Sequence, residues 1–325
     1  MSLSEPRLLV SVDRRNSVGE QVAEHLPEVA WAYLRDTPPE RRQSVEAMLV
    51  GGYSRELTEF DPATTPRLRF VQRLFTGTDG FPFRRFPADV RFAGNIGAFA
   101  PFVSEHAVML ALAAARDLPA GREMVREGRL RPAPEQRSLA GRTAVILGYG
   151  EIGRAIADRL RPFDTRLVGV NRRGEPAAGV AEMFPAERFR EALPLGDFVF
   201  EVRPLTNLTA GSIGAAELAS MRPDAILVNV GRAGTVDEEA LFRHLETHPR
   251  FRAAIDVWWN ERFSDGTLPS RFPFGNLPNV VGTPHSAGNV PGADERAIRF
   301  AAENLARFFR TGTPAHVLDR SEYPA

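Results

Sequence analysis

An α/β fold of about two domains is predicted by three observations. The chain is 325 residues long, 43% hydrophobic and 25% charged, the size and composition of an ordinary two-domain globular protein. Short apolar runs of strand length alternate with helical-period segments along it. One of those runs, Thr143 to Leu147, passes directly into a glycine-spaced turn and an amphipathic helix.

In order along the chain, Leu8 to Val12 predicts the first strand, Val18 to Leu26 a helix, and Ala47 to Val50 and Leu68 to Val71 two more strands. The segment Phe75 to Phe86 is broken by glycine and proline yet rich in aromatics. It reads as a loop that either covers something apolar or docks on its own domain. Gly94 to Gly97 breaks the chain, and Pro101 stands where a helix can open and run through Ser104 to Arg116. That helix is apolar on nearly every side, which predicts burial. His106 on it reads as a hydrogen-bonded core histidine rather than a ligand. Pro119 to Ala140, rich in Pro, Arg and Glu, reads as a surface connection.

Thr143 to Leu160 has the form of a dinucleotide cradle. Gly148, Gly150 and Gly153 follow the strand without a gap, with Tyr149, Glu151 and Ile152 between them. Gly148 would allow the sharp turn, Gly150 would let the backbone approach a pyrophosphate, and Gly153 would let the helix pack on its strand. The N–H groups of the first helical turn would then face the phosphates. Ile152, Ile156 and Leu160 recur at helical spacing, and Pro162 stops the helix.

The next strand, Thr165 to Val170, ends at Asn171, Arg172, Arg173 and Gly174. A site that prefers NAD normally carries Asp or Glu here, about 20 residues on, to hold the ribose hydroxyls. Asn171 stands in its place, eighteen residues after Gly153. A neutral amide removes the repulsion against a 2′-phosphate, and guanidinium forks can clasp that phosphate. NADP(H) is therefore favoured over NAD(H), with a solvated arginine pair as the plainer reading. Strands at Asp197 to Val202 and Ala225 to Val230 follow, with a helix from Ala215 to Met221 between them. A last helix, Glu295 to Arg310, carries an apolar stripe at Ile298, Ala301, Leu305 and Phe308 and is ended by Gly312 and Pro314.

Arg232, Glu261 and His285 stand beyond later apolar runs, at strand ends, where an open parallel sheet binds its ligands. Taken singly, each also suits a capping, surface or loop role. Together they fit oxidation of an alcohol next to a carboxylate. An arginine can hold the substrate carboxylate in a forked pair, and a histidine can accept the hydroxyl proton as hydride leaves, or donate it in reverse. Glu261 nearby would favour the imidazolium and so prime it as the acid for ketone reduction.

Other chemistries are excluded by composition. Acidic and basic residues balance at 41 each, so no general attraction to nucleic acid or an acidic membrane is expected. Cysteine is absent, which removes disulfides, thiolate metal ligands and a cysteine nucleophile. All the basic residues are arginine, so there is no lysine for a Schiff base. No metal site is predicted. The N-terminus lacks the basic start and apolar core of a signal peptide, and the apolar run Ala107 to Ala115 is too short to span a bilayer. A cytoplasmic protein is the expectation.

From about Phe92 to Gly288 the sequence resembles the D-isomer-specific 2-hydroxyacid dehydrogenases, the family of D-glycerate, glyoxylate/hydroxypyruvate and phosphoglycerate dehydrogenases. The matching stretches run in order through VSEHAVMLALAAAR, LAGRTAVILGYGEIGRAIA, RPLTNLTAGSIGAAELASMRPDAILVNVGRAGTVDEEAL, AAIDVWWNE and NVVGTPHSAG. The resemblance implies catalytic roles for Arg232, Glu261 and His285, and a contact from Asp256 to the nicotinamide carboxamide. It also implies that Arg203, Pro204, Thr206, Val230, Gly231, His285 and Ala287 lie along the cofactor. Backbone donors for the substrate carboxylate are implied at Thr76, Gly77 and Thr78.

The implied architecture is two doubly wound α/β lobes. A Rossmann nucleotide lobe, residues 96–288, is inserted into a flavodoxin-like substrate lobe formed by residues 1–95 and 289–325. Family members are commonly homodimers, and the helix Ser104 to Arg116 is a candidate contact.

Three departures from the family pattern stand out. Asn171 with its two arginines replaces the usual acid. Trp258, Trp259 and Asn260 replace the proline-containing approach to Glu261, and no proline follows it. Phe99 stands where many members carry a polar residue. With Phe75, Phe81 and Phe83 it suggests an apolar pocket. The leading expectation is an NADP(H)-dependent 2-keto acid reductase acting on glyoxylate, hydroxypyruvate or a bulkier apolar analogue. The other reading is a nucleotide-sensing interaction protein of the corepressor type, which the absence of a low-complexity tail disfavours.

Overall fold

The computed structural model describes residues 5–12, 17–51, 55–78, 80–130, 136–259, 261 and 270–323. Asn260 and residues 131–135 of the expected connection lie outside them. Two compact units emerge, one from Met1–Phe99 with Pro291–Ala325 and one from Ala100–Val290.

The first unit is built on a five-stranded sheet. Its strands are β1 (Leu8–Ser11), β2 (Trp31–Tyr33), β3 (Ala47–Val50), β4 (Phe70–Arg73) and β5 (Arg91–Ala93), all parallel in the order β2-β1-β3-β4-β5. Strands buried on both faces read as continuous apolar runs, and LLVS and AMLV do so. One face carries the helix Val18–Glu24 and the long helix Ala293–Thr311, whose Ile298, Ala301, Leu305 and Phe308 enter the core beside Leu8, Val10 and Phe70.

On the opposite face, Phe81, Phe83 and Phe86 close around Phe92 at ring-centroid distances of 5.0 to 5.6 Å. The aromatic segment thus docks on its own unit. Phe81 and Phe83 are core residues, which corrects their assignment to a pocket. Buried aromatic pairs each add about 0.5–1.5 kcal/mol beyond their area. Phe75 and Phe99 stack on each other at 6.3 Å and stay partly exposed.

The second unit carries seven parallel strands: β6 (Thr143–Leu147), β7 (Arg166–Asn171), β8 (Glu182–Pro185), β9 (Phe198–Glu201), β10 (Ile226–Asn229), β11 (Arg252–Ile255) and β12 (Val280–Gly282). Their order is β12-β11-β10-β9-β6-β7-β8, which reverses direction on either side of β6. The crevice at such a reversal is where open α/β sheets bind nucleotides. Alternate residues of β6 go to opposite cores: Val145 and Leu147 to one, Ala144 and Ile146 to the other.

The helix Ala100–Ala115 packs on the second of those faces beside the helix Glu151–Leu160. Residues 118–126 are helical rather than a plain surface connection, since Pro119 sits in the first turn, where its missing N–H costs nothing. Among the described residues no helix is long and apolar enough to cross a membrane.

Candidate active site

Strand β6 delivers the chain into the glycine turn. Gly148 has a φ of 99°, the left-handed region that glycine enters without strain. A Cβ on Gly148 would also press on the backbone of Arg203 and Val202. One on Gly153 would overlap the Gly148 carbonyl, so the helix reaches its strand only because no side chain is there. At Gly150 the same imagined atom meets nothing within 4 Å. Together these features fit a dinucleotide, with close packing behind the turn and open space in front of it.

The N–H groups of Gly148 and Tyr149 donate to Val170, at 3.1 and 2.7 Å. They tie the turn to β7 and so do not face a phosphate, whereas the first-turn N–H groups of Glu151, Ile152 and Gly153 have no intrahelical partner by helix geometry. Arg203 behaves likewise. Its guanidinium forks onto the fully buried Glu201 at 2.5 to 3.1 Å and reaches Ser212. Its backbone N–H donates to Glu201 as well, at 2.8 Å, so both the side chain and the N–H are tied to that carboxylate. Thr206 is buried in its own turn, hydrogen-bonded with Thr209 and Leu208, just after Pro204.

At the end of β7 the amide of Asn171 shapes the next turn. Its oxygen accepts from the N–H groups of Arg173 and Glu175, and its nitrogen donates to the Glu175 carbonyl. Arg172 and Arg173 are exposed, and Arg173 lies 3.3 Å from Glu175.

The ends of β10, β11 and β12, three neighbouring strands, carry the chemical residues. After β10, Asn229 accepts from the Gly231 N–H and donates to the Arg232 carbonyl, which fixes the turn. A Cβ on Gly231 would strike the backbone of Val202, so this turn sits tightly against the end of β9 next to Val230. Arg232 is half-buried, with Nη1 on the Gly231 carbonyl at 2.8 Å.

After β11, Asp256 is a buried hub. Its carboxylate accepts from the Thr283 hydroxyl at 2.6 Å and from the N–H groups of Ser286 and Ala287 at 2.9 and 3.1 Å, while its carbonyl accepts from the His285 N–H. Burial by itself would push this carboxyl up, but hydrogen bonds from His106, Thr283, Ser286 and Ala287 outweigh it and hold Asp256 below its ordinary value. His285 adopts a left-handed backbone (φ 51°), costing about 1–3 kcal/mol in a residue other than glycine. The Asp256 contacts hold it there.

The His285 ring meets Glu261 directly, Nδ1 to Oε2 at 2.6 Å. The other Glu261 oxygen accepts the Trp258 N–H at 2.7 Å. Glu261 thus holds the ring through Nδ1.

His106 was not legible as part of this group. It lies on the helix Ala100–Ala115, with Nε2 2.9 Å from Thr283 Oγ1 and 3.3 Å from Asp256 Oδ1. Thr283 gives its one proton to Asp256, so its oxygen accepts from His106. The ring is hydrogen-bonded, as the sequence suggested, but to the hub of the site. No sequence signal joins residues so far apart.

Thr76, Gly77 and Thr78 belong to the first unit, after β4. Thr76 donates its hydroxyl to the Asn95 carbonyl at 3.1 Å, and Arg73 donates to the Gly77 carbonyl at 3.3 Å. No group of His, Asp and Glu among the described residues is placed to hold a metal ion.

Comparison with known proteins bears on this arrangement. The sequence profile of the family described as D-isomer specific 2-hydroxyacid dehydrogenase, NAD binding domain, matches residues 108–287. A glyoxylate reductase of Pyrococcus furiosus is 31% identical over 89% of this chain and 88% of its own. A D-isomer specific 2-hydroxyacid dehydrogenase of Xanthobacter autotrophicus, solved with NADPH and MES, superposes with a TM-score of 0.80 at 25% identity, over 97% of this chain and 98% of that one. An NADPH-dependent glyoxylate/hydroxypyruvate reductase of Sinorhizobium meliloti, solved with NADP and malonate, gives 0.74 at 27% identity over 99% of both chains.

Proposed function

We propose that this chain, which belongs to the D-isomer-specific 2-hydroxyacid dehydrogenases and is an NAD(P)-dependent enzyme of that family, works as an NADP(H)-dependent reductase of small 2-keto acids. The observation that carries the reading is the His285–Glu261 contact of 2.6 Å on a loop pinned by Asp256. Glyoxylate and hydroxypyruvate are the first substrates to consider, given the reductases to which the chain is similar.

Arg232 would hold the substrate carboxylate in a forked, charge-assisted pair. Thr76, Gly77 and Thr78 are assigned backbone donors for the substrate. When bound, the nicotinamide supplies the hydride. His285 gives the proton at Nε2 to the oxygen that becomes the hydroxyl, and Glu261 orients the ring through Nδ1 and stabilises its charged form. Asp256, with Oδ2 holding one N–H, has a lone pair left for the nicotinamide carboxamide.

For the cofactor, Gly150 and the N–H groups at Glu151 to Gly153 are assigned to the pyrophosphate. Arg172 and Arg173 are assigned to a 2′-phosphate. An exposed pair such as Arg173 with Glu175 is worth about 0–1 kcal/mol, so a dianionic phosphate can displace it. A homodimer is proposed through the helix Ala100–Ala115 and its successor, where Met109, Leu118 and Val125 are exposed.

The test is turnover of glyoxylate, hydroxypyruvate and a bulkier apolar 2-keto acid with NADPH and with NADH, alongside fluorescence titration of each cofactor. NADPH is expected to bind at least about tenfold more tightly, a difference of about 1.4 kcal/mol. Equal or tighter binding of NADH removes the arginine assignment, and absence of turnover with every keto acid removes the reductase.

A further inference from the structure

The tandem tryptophans Trp258 and Trp259 stand directly after the hub, and each sends its indole N–H to a different backbone carbonyl of the site. Trp258 donates from Nε1 to the Thr283 carbonyl at 2.9 Å, two residues before His285. Its own backbone N–H donates to Glu261 at 2.7 Å, so this one residue touches Glu261 and the loop that carries His285. Trp259 donates from Nε1 to the Val236 carbonyl at 2.7 Å, at the end of the turn Ala233–Thr235 that begins just after Arg232. Both rings are anchored on Phe274: Trp259 stacks on it at 5.2 Å and Trp258 meets it edge-on at 6.2 Å. Gly282 makes room for the Trp258 ring, since a Cβ there would lie 3.1 Å from it.

An indole N–H is a donor only, and a buried one without an acceptor costs about 1–3 kcal/mol, so each bond fixes its ring and its carbonyl together. The two neighbours reach opposite ends of the chemistry. One bonds the loop that carries the proton donor, and the other bonds the segment that follows the carboxylate anchor.

We propose that Trp258 and Trp259 are positioning residues that set the placement of His285 and of Arg232, a role that rests on the 2-keto acid reductase reading. Phenylalanine keeps an aromatic ring and removes only the donor and part of the ring, so W258F and W259F are the test. W258F is expected to lower kcat about tenfold with KM for the keto acid nearly unchanged, because proton transfer loses its alignment. W259F is expected to raise KM about fivefold with kcat nearly unchanged, because carboxylate binding is weakened in ground and transition states alike. A merely structural pair would lower the melting temperature and the active fraction while leaving both constants of the active enzyme intact, and that result overturns the proposal.

Amide hydrogen exchange gives a readout that needs no turnover. Faster exchange is expected at 283–287 in W258F and at 232–237 in W259F, and nowhere else. If the unsubstituted protein reduces no keto acid, the reductase reading falls and this exchange pattern alone decides the positioning. Unchanged exchange at both segments, or a rise spread over the whole unit, overturns it.

Discussion

The turn after β7 and the loop after β12 use a polar side chain in opposite ways. Asn171 directs its amide into its own turn and leaves Arg172 and Arg173 exposed. Asp256 directs its carboxylate onto a loop thirty residues away and leaves that loop little freedom, even with His285 in a left-handed backbone. The lesson is a division of labour within one sheet. Under the proposed function, cofactor choice would rest on exposed side chains of a turn that Asn171 shapes, whereas the proton-transfer group would sit on a loop fixed by several bonds at once.

Replacing the fixed group should give the largest effect. His285→Ala is expected to lower kcat by about a hundredfold to ten-thousandfold, with NADPH binding and the melting temperature close to those of the parent. A variant retaining a tenth of the parent rate would show that another group moves the proton. Asp256→Asn keeps the shape but turns an acceptor-only group into a partial donor facing two N–H groups, the Thr283 hydroxyl and His106. A loss of about tenfold to a hundredfold in kcat and a lower melting temperature are expected, since the buried network loses partners. A kcat and melting temperature equal to the parent's would mean that the hub does not hold the loop.

In the turn after β7, Arg172→Ala with Arg173→Ala is expected to weaken NADPH about tenfold while NADH and stability stay as they were. Weakened NADH binding or a lower melting temperature would show that this turn is structural after all. A last effect concerns the acid stability of the same unit rather than its activity. Burial, helped by the neighbouring His248, lowers His244 to about 4, well under its unfolded value of about 6.5. As pH falls through that window the unfolded chain takes up the proton first, so stability is intact above about 6.5 and declines toward about 4. Thermal melts between pH 7 and 5 should show His244→Phe flattening this decline. An unaltered slope would place the acid sensitivity elsewhere.

The same contrast explains what could be read in advance. The cradle was legible because its glycines report local backbone demands, as the φ of Gly148 and the close packing at Gly153 show. The place of Asn171 to Arg173 at the end of β7 was legible from their distance along the chain. Arg232, Glu261 and His285 formed a coherent chemical set at strand ends, which family resemblance reinforced, but nothing in their spacing says that Glu261 meets His285. The bond of His106 to Asp256 spans 150 positions and two elements, and apolar neighbours disguise it. Phe81 and Phe83 misled because proline and glycine punctuate a segment whose rings are nevertheless core. Residues 118–126 misled because Pro119 and Gly121 are tolerated there in a helix.

The long helix Ala293–Thr311 completes a core whose strands lie some two hundred residues earlier. During synthesis, residues 1–99 therefore leave the ribosome with the part of an apolar sheet face that the long helix covers still open, while Ala100–Val290 has a continuous stretch of chain with which to fold on its own schedule. Late closure of the first unit follows from this order of emergence. A chain stopped at residue 290 should show native-like amide protection across 143–282 and little across 8–93, and equal protection in both stretches would refute a waiting first unit.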